Sequence, residues 1–318
     1  MPFDYHFAVA GLLIGLCIGL TGMGGGALMT PVMVLGFGVQ PSTAVSSDIV
    51  ASAVMKPFGS AIHLHRGNVD IGLVRWLALG SVPAAFIGVF VNRAMGVGDA
   101  MQQRIQYAMG AALLLAVVAI VAKILIERVR PATQESVGPV KVRRLATVGI
   151  GVLGGLLVGM TSVGAGTVII VLLMLVYPEL PMRQIVGTDL VQALPLVASA
   201  ALSHALFGDL QFALTTALTA GGVVGVILGA LLSSRAPSRV IRPALAFLLL
   251  ASALKLLDVP TPLVGGVMLT VAAFGLAAWT VTVVRRRAAT GPTASDAPHL
   301  RLAAISMQTA APASADID

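Results

Sequence analysis

Residues 11–31 read GLLIGLCIGLTGMGGGALMTP, an apolar stretch interrupted near its centre by a run of glycine. Residues 151–171 read GVLGGLLVGMTSVGAGTVIIV, with glycine and threonine at corresponding places 140 residues further along the chain. Each glycine costs a helix about 1 kcal/mol relative to alanine, so we expect a helix break at both places. Two apolar segments with the same central interruption indicate an internally repeated, all-α membrane protein.

The composition of the whole chain excludes a soluble globular protein. Of the 318 residues, 57% are hydrophobic and 10% are charged, against about 25% charged residues in a typical soluble domain. Apolar runs of roughly 20 residues recur, long enough to cross a ~30 Å hydrocarbon core as helices. The single cysteine, Cys17, excludes a disulfide framework and a cysteine-based metal cluster. The net charge of +7 comes from basic residues in short loops, which predicts a membrane topology rather than a nucleic-acid partner.

The repeat extends beyond the glycine runs, because Asp48 and His63 recur as Asp189 and His204, now 141 residues apart. Each half contains four apolar segments, and a ninth segment follows the second half. We predict one transmembrane transporter domain over residues 1–288 and a disordered cytoplasmic tail over residues 289–318. Within the domain, repeat one covers about 7–127, a loop 128–144, repeat two about 145–257 and the extra helix about 260–284. The four segments of each half cover roughly 7–36, 43–64, 73–92 and 104–126, then 145–177, 185–206, 211–234 and 239–256.

The basic residues predict how the glycine-broken segments run, because lysine and arginine concentrate in cytoplasmic loops. If all nine segments cross the membrane, nine basic residues fall on one side and ten on the other, with Lys56 inside a segment. If the two broken segments instead enter and leave on the same side, 16 fall together and three lie opposite, namely Arg93, Arg104 and Lys255. We therefore favour two re-entrant hairpins, with the N-terminus outside and the C-terminus in the cytoplasm. The alternative, in which each broken segment crosses, stays open.

Re-entrant hairpins make the second repeat inverted relative to the first. A repeat with three crossings and one hairpin leaves the chain on the side opposite to its start. Inverted repeats with discontinuous helices are typical of secondary transporters, in which the substrate site lies near the midplane where the breaks meet.

The glycine-broken segment resembles the signature of the sulfite exporter TauE/SafE family, which it matches as Gly15-x3-Gly19-x-Thr21-Gly22-x-Gly24-Gly25-Gly26-x4-Pro31. The stretch His63-x3-Gly67 fits as well, and the second copy fits at Gly155-x3-Gly159 and His204-x3-Gly208. The resemblance covers about residues 7–257. It implies a multi-pass permease of the plasma (inner) membrane for small anions such as sulfite, sulfonates and related carboxylates. The second copy departs from the pattern at Ser162 and Ala165.

Both glycine runs are candidate anion sites. A half-helix that begins after each turn presents free N–H groups and the positive end of its dipole, and glycine lets the ligand approach the backbone. Hydroxyl groups beside the turns add donors. The alternative interpretation is close helix packing through small residues. The predicted substrate-binding residues are Lys56, discussed below, and the turn residues Thr21, Gly22, Gly24, Gly25, Gly26, Thr161, Ser162, Gly164 and Gly166.

Ionisable residues inside the segments are candidates for coupling. Asp48 and Asp189 are interpreted either as helix-start caps or as carboxylates that couple transport to a proton or cation. Lys56 lies eight residues beyond Asp48, about 12 Å along a helix, and requires either the substrate anion or Asp189 as its partner. His63 and His204 are interpreted either as interfacial hydrogen-bonding residues or as a proton relay.

These patterns predict a secondary transporter that moves a small anion by alternating access and contains no cofactor, no metal site and no catalytic residues. The alternatives are an intramembrane enzyme or a channel-like membrane subunit. The expected partners are the anion, membrane lipid, a coupling proton or cation and a second copy of the chain, with no nucleic acid.

Cysteine labelling in a Cys17→Ser background tests the predicted topology. We expect single cysteines replacing Pro2 and Gln40 to react with an impermeant reagent from the outside, because the first broken segment returns to its starting side. A cysteine in the 128–144 loop should react only from the cytoplasm. External labelling at residue 2 together with cytoplasmic labelling at residue 40 would mean that the first segment crosses.

Overall fold

A computed structural model describes residues 5–21, 26–65, 69–96, 98–129, 142–164, 166–232 and 238–289. Every regular element in these ranges is a helix, which confirms the predicted all-α class. By its contacts the chain divides into residues 1–264 and 265–318; the first unit contains α1–α10, and the second contains most of α11. The helices are α1 (Tyr5–Thr21), α2 (Gly26–Pro31) with a π-helical continuation (Val32–Gly36), α3 (Pro41–His65), α4 (Ile71–Ala94), α5 (Gly98–Val129), α6 (Arg144–Thr161), α7 (Val168–Val176), α8 (Met182–Phe207), α9 (Phe212–Leu232), α10 (Ser238–Leu256) and α11 (Thr261–Ala289).

The second glycine-broken segment contains two helices joined by a turn. α6 ends at Thr161, and Ser162 adopts a left-handed conformation with φ of 61°. Gly164 and Gly166 have φ of 128° and 86°, values that side chains with a Cβ rarely adopt. In the first copy α1 ends at Thr21 and α2 begins at Gly26. Residues 22–25 lie outside the described ranges.

α7 runs back along α6, so the two helices form a hairpin. A Cβ on Gly154, near the middle of α6, would lie 2.4 Å from Cγ1 of Ile169 at the start of α7. At the open end, the hydroxyl groups of Thr147 and Tyr177 lie 2.5 Å apart. The backbone N–H of Arg143 also donates to the Tyr177 hydroxyl at 2.8 Å. The segment therefore begins and ends at the same level.

The first broken segment has its two ends together in the same way. The rings of Phe7, near the start of α1, and Phe37, directly after the π-helical turn, have centroids 4.7 Å apart. α1 and the α2 segment thus form the first hairpin. We call residues 5–37 the first hairpin and residues 143–177 the second hairpin.

Hydrogen bonds between helix termini show which elements begin at the same end of the molecule. The backbone N–H of Ser42, at the start of α3, donates to Oε1 of Gln102 near the start of α5, at 3.0 Å. The backbone N–H of Asp70, directly before α4, donates to the Thr188 hydroxyl near the start of α8, also at 3.0 Å. We call these the α3 end and the α4 end. The last residues of the first hairpin lie just before α3, and those of the second hairpin lie just before α8. The two ends of each hairpin therefore lie together, at the α3 end for the first hairpin and at the α4 end for the second.

Each hairpin packs against the other repeat through glycine. α1 runs parallel to α9, and α6 runs parallel to α4. A Cβ on Gly15 would lie 2.4 Å from the carbonyl oxygen of Gly222, and a Cβ on Gly155 would lie 2.3 Å from that of Ser81. Backbones can approach this closely only without side chains between them, which is how small residues join membrane helices. α3 contacts α8, the helix at the same place in the other repeat, and α5 likewise contacts α10.

The outer surface of the bundle is apolar, whereas several polar side chains lie inside. Leu79, Val118 and Leu175 are each more than 60% exposed, as expected for side chains that face lipid. Within the described residues, five helices are long and apolar enough to cross a membrane by length and composition. The buried polar side chains come mainly from α3 and α8 and include Ser46, Ser47, Asp48, Thr188, Asp189 and Gln192.

Two glycines of α6 form a matched pair that tests the close packing. A Cβ on Gly151 would lie 2.3 Å from the Leu77 carbonyl oxygen, whereas a Cβ on Gly149 would meet open space. We expect Gly151→Ala to lower the melting temperature of the purified protein by several degrees, because separating α4 from α6 costs roughly 1–3 kcal/mol. Gly149→Ala should leave the melting temperature unchanged or raise it slightly, because alanine favours helix. Equal melting temperatures for the two variants would contradict this packing.

Candidate functional site

The tips of the two hairpins touch each other. Gly26 begins α2 at the first tip, and a Cβ built on it would lie 1.8 Å from the backbone oxygen of Ser162 at the second tip. The second tip is enclosed, since Ser162 and Thr167 are less than 9% exposed. Non-helical backbone at membrane depth is tolerated only when protein or a cavity surrounds it, and α2 contributes to that cover at the second tip.

Asp48 of α3 lies against both tips. Its carboxyl group is fully buried. The hydroxyl of Thr30, in α2, donates to Oδ2 at 2.5 Å, and the hydroxyl of Ser52, one turn along α3, donates to Oδ1 at 3.2 Å. The Ser162 side chain forms a further hydrogen bond with this carboxyl group. Asp48 therefore connects α3 with the tips of both hairpins.

Asp189, the repeat counterpart of Asp48, is held by different groups. Nε2 of Gln192 donates to its Oδ1 at 3.3 Å. The amide oxygen of Gln192 in turn accepts a hydrogen bond from the Ser81 hydroxyl of α4 at 3.2 Å. The backbone N–H of Gly166, at the second tip, faces the carboxyl group. Oδ2 of Asp189 is buried and has no hydrogen-bond partner among the described residues.

Lysine side chains from two helices lie within electrostatic range of the Asp189 carboxyl group. Lys56 of α3 and Lys123 of α5 both attract its carboxyl group electrostatically. Lys56 is half-buried and also lies within electrostatic range of Asp48. The interaction with Asp189 is compatible with the ion-pair interpretation of Lys56. The roles of Lys56 as a substrate partner and as an ion-pair partner both stay predictions.

His204 connects three helices near the α3 end. Its Nε2 lies 2.7 Å from the carbonyl oxygen of Gly159 in α6, and its Nδ1 lies 2.9 Å from the hydroxyl of Ser46 in α3. The ring is 2% exposed. These contacts agree with the hydrogen-bonding interpretation of this histidine, and the relay role stays a prediction. The side chain of His63, its counterpart, lies outside the described part of the chain.

Several predicted substrate-binding residues are placed by the structure, and their binding roles stay predictions. The hydroxyl of Thr161 donates to the Leu157 carbonyl of its own helix at 2.7 Å, and that of Ser162 is engaged with Asp48. Gly26, Gly164 and Gly166 lie at the tips. The predictions that fall outside the described backbone or side chains concern Thr21, Gly22, Gly24 and Gly25.

Sequence reasoning missed the polar side chains that hold the two acids, chiefly Thr30, Ser81 and Gln192. A signal was present, because a glutamine three residues after Asp189 in an apolar segment needs a hydrogen-bonding partner as much as an acid does. Thr30 likewise stands alone between apolar residues, two positions after Leu28.

The profile of the family described as sulfite exporter TauE/SafE matches residues 7–256. The chain belongs to the TauE/SafE family. The match ends where α10 ends, so α11 lies outside it. YjnA of Bacillus subtilis (strain 168), described as a probable membrane transporter protein, is 34% identical over 248 residues, which cover 78% of this chain and 97% of YjnA. YunE of the same strain, described in the same words, is 33% identical over 104 residues, 30% of this chain and 36% of YunE. No solved structure matches the chain.

Membership of the TauE/SafE family and the apolar helices identify the chain as an integral, multi-pass membrane transporter. The resemblance read from the glycine-broken segments is thereby confirmed. The geometry adds the detail that two buried carboxyl groups, one from each repeat, flank the contact between the hairpin tips.

Substitutions of Lys56 separate its two interpretations. We expect Lys56→Met to insert and fold but to lose nearly all transport of a small anion in proteoliposomes, because the cation needed by the ligand is gone. Lys56→Arg keeps the charge and should retain part of the flux. If Lys56→Met fails to express and Lys56→Met/Asp189→Asn restores expression, Lys56 serves the ion pair instead. Unchanged flux in Lys56→Met would remove it from the site.

Proposed function

We propose that this transporter moves a small anion, such as sulfite, a sulfonate or a related organic acid, across the plasma (inner) membrane by alternating access. The observation that carries the proposal is the contact between the two hairpin tips at Gly26 and Ser162, reached from opposite ends of the molecule. Secondary transporters built from inverted repeats bind substrate where such discontinuous helices meet. The description of the family as sulfite exporters supports an anion as the substrate.

The anion is bound at the hairpin tips by backbone and hydroxyl donors. α7 begins at Val168, directly after the glycine turn, and α2 begins at Gly26. The first N–H groups of a helix carry partial positive charge and bind anions without a permanent cation. Lys56 contributes a full charge from α3. This combination attracts a single small anion and still permits its release.

Asp48 and the substrate compete for the same donors. The hydroxyls of Thr30 and Ser162 hydrogen-bond with the Asp48 carboxyl group. An anion beside an ionised Asp48 would be repelled, because like charges a few ångströms apart interact strongly in a buried site. Protonation of Asp48 removes this repulsion and weakens its hold on the two hydroxyls. We infer that a proton enters Asp48 when the anion binds, which couples the two fluxes.

The α3 end faces the outside and the α4 end faces the cytoplasm. This orientation places the start of α6 with its basic residues Arg143 and Arg144 inside, as the distribution of lysine and arginine requires. The C-terminus then lies in the cytoplasm. Alternating access follows when the first hairpin with α9, and the second hairpin with α4, rock against each other around the tips.

Flux measurements separate this carrier from the two rival classes. A carrier saturates with substrate concentration and follows an ion gradient, whereas a channel passes current without saturation. An intramembrane enzyme would alter a lipid or peptide substrate without net flux. The descriptions of YjnA and YunE as probable membrane transporters favour the carrier.

Replacing Asp48 by asparagine tests the proton coupling. Methanesulfonate is a suitable probe, because it keeps one negative charge throughout the neutral range. We expect wild-type proteoliposomes to accumulate labelled methanesulfonate about ten-fold for each unit of pH gradient if one proton moves with each anion. Asp48→Asn keeps the shape of the side chain but cannot ionise, so it should exchange methanesulfonate across the membrane with no response to the gradient.

Asp70→Asn is the matched control for this experiment. Asp70 caps α4 by accepting a hydrogen bond from the Leu73 N–H at 3.0 Å, and asparagine caps helices equally well. Gradient-driven accumulation should therefore persist in Asp70→Asn. If it also persists in Asp48→Asn, Asp48 is not the coupling group. If wild-type protein moves no methanesulfonate, sulfite or other small anion, the proposed function fails.

A further inference from the structure

A cavity with several polar groups in its wall lies at the α3 end. Its volume is about 320 Å³, and it opens where α4 and α8 end and α3 and α5 begin. The polar and charged side chains in its wall come from α3, α4, α8 and the loop after α8: Ser42, Ser46, Asn92, Arg93, His204 and Asp209. Apart from His204, none of these residues was assigned a role above, and His204 was assigned one only from the sequence.

Asn92 lies in the wall of this cavity and has an unused hydrogen-bond acceptor. Its side chain is 6% exposed. Nδ2 donates to the backbone oxygen of Met160 at 2.9 Å, so the orientation of the amide is fixed. Oδ1 is buried and has no partner among the described residues. A buried acceptor without a partner costs free energy, and an occupant that brings an O–H or N–H group removes that cost.

Ser46 and His204 form a buried part of the cavity wall. Nε2 of His204 faces the carbonyl oxygen of Gly159, so it carries a hydrogen. The Ser46 hydroxyl lies 2.8 Å from the Ser42 carbonyl oxygen and 2.9 Å from Nδ1 of His204. Its single hydrogen serves one of these contacts.

The mouth of the cavity carries one group of each charge. The Arg93 guanidinium lies over the ring of Phe207, with Cζ 5.9 Å from the ring centroid. Asp209, two residues after Phe207, is exposed on the same rim. Arginine attracts an oxyanion and can bind it through two N–H groups. The aspartate and the Asn92 oxygen instead attract a hydrogen-bond donor.

We propose that this cavity is a separate binding site for a small oxyanion that also carries an O–H or N–H donor, with Arg93 holding the anionic group and Asn92 accepting from the donor. The inference rests on the proposed anion transport and adds a capture site in front of the hairpin tips. Fully deprotonated or purely alkyl anions leave Oδ1 of Asn92 unpaired and bind more weakly. The cavity thereby selects among anions of equal charge.

The site contacts the groups that hold the second hairpin tip. Asn92 and His204 bind the successive carbonyl oxygens of Met160 and Gly159, the residues directly before Thr161 and Ser162. These carbonyls belong to the last turn of α6, which has no further helical N–H to pair with. A ligand that hydrogen-bonds to Asn92 or His204 therefore affects the position of the last turn of α6 and of the hairpin tip that follows it.

Two probes of equal charge test the selectivity on the purified full-length protein in nanodiscs. Ethanesulfonate and 2-hydroxyethanesulfonate differ by one hydroxyl group, and calorimetry gives the affinity of each. We expect wild-type protein to bind 2-hydroxyethanesulfonate about ten-fold more tightly than ethanesulfonate. Asn92→Leu, which keeps the size of the side chain, should abolish the difference. Equal affinities in the wild type would mean that the cavity holds only water, and the proposal would fail.

Arg93→Gln tests the proposal without replacing a buried side chain, because Arg93 is exposed. We expect it to weaken 2-hydroxyethanesulfonate binding at least ten-fold. Arg104→Gln is its matched control, since Arg104 lies at the same end and donates to the Met95 carbonyl but does not line the cavity. Unchanged affinity in Arg93→Gln, or an equal loss in Arg104→Gln, overturns the proposal even if Asn92→Leu does not fold.

The same variants distinguish this proposal from the proposed transport. Binding that depends on Arg93 in a protein without any anion flux would refute the transporter mechanism and leave the cavity site intact. Gradient-driven methanesulfonate flux with Arg93-independent binding of 2-hydroxyethanesulfonate would refute the cavity site and leave the transport intact.

Discussion

The close contact between Gly26 and the backbone of Ser162 is the constraint on which the other features depend. A bilayer offers no water to an interrupted helix, so a break is stable only where protein encloses it. In this chain the start of α2 lies against the second break, because a Cβ at Gly26 would come within 1.8 Å of the Ser162 carbonyl oxygen. The two hairpins must therefore reach the same place from opposite ends. α3 and α8 follow the hairpins in the chain and place Asp48 and Asp189 beside the contact between the hairpin tips.

Glycine also determines how the repeats are held together. Hydrophobic association between helices is weak in lipid, so their contact depends on close packing. α1 of the first repeat lies against α9 of the second, with Gly15 in contact with Gly222. α6 of the second repeat lies against α4 of the first, with Gly155 in contact with Ser81. Neither repeat can bury its own first helix alone, because the complementary glycine surface belongs to its partner. A conformational change that preserves these contacts moves each hairpin together with a helix of the opposite repeat.

The sequence was sufficient for the helical membrane class and the family, because these depend on composition and on the spacing of glycine. It was insufficient for the contact between Thr30 and Asp48, which forms only when α2 packs against α3. The same limit applies to Ser162. Sequence reasoning assigned its hydroxyl to an anion, but in the structure it contacts the carboxyl group of Asp48, which lies over 100 residues away in the chain.

The two repeats share a backbone arrangement but not the same chemistry around their acids. Thr30 and Ser52, which donate to Asp48, correspond to Ile170 and Ala193 in the second repeat. Gln192, which donates to Asp189, corresponds to Ala51. Lys56 has Val197 as its counterpart. An ideally symmetric pair of repeats would have equal energies when open to either side. Because hydroxyl groups hold one acid and an amide with nearby lysines holds the other, the proposed alternating-access mechanism predicts that the two open states differ in energy.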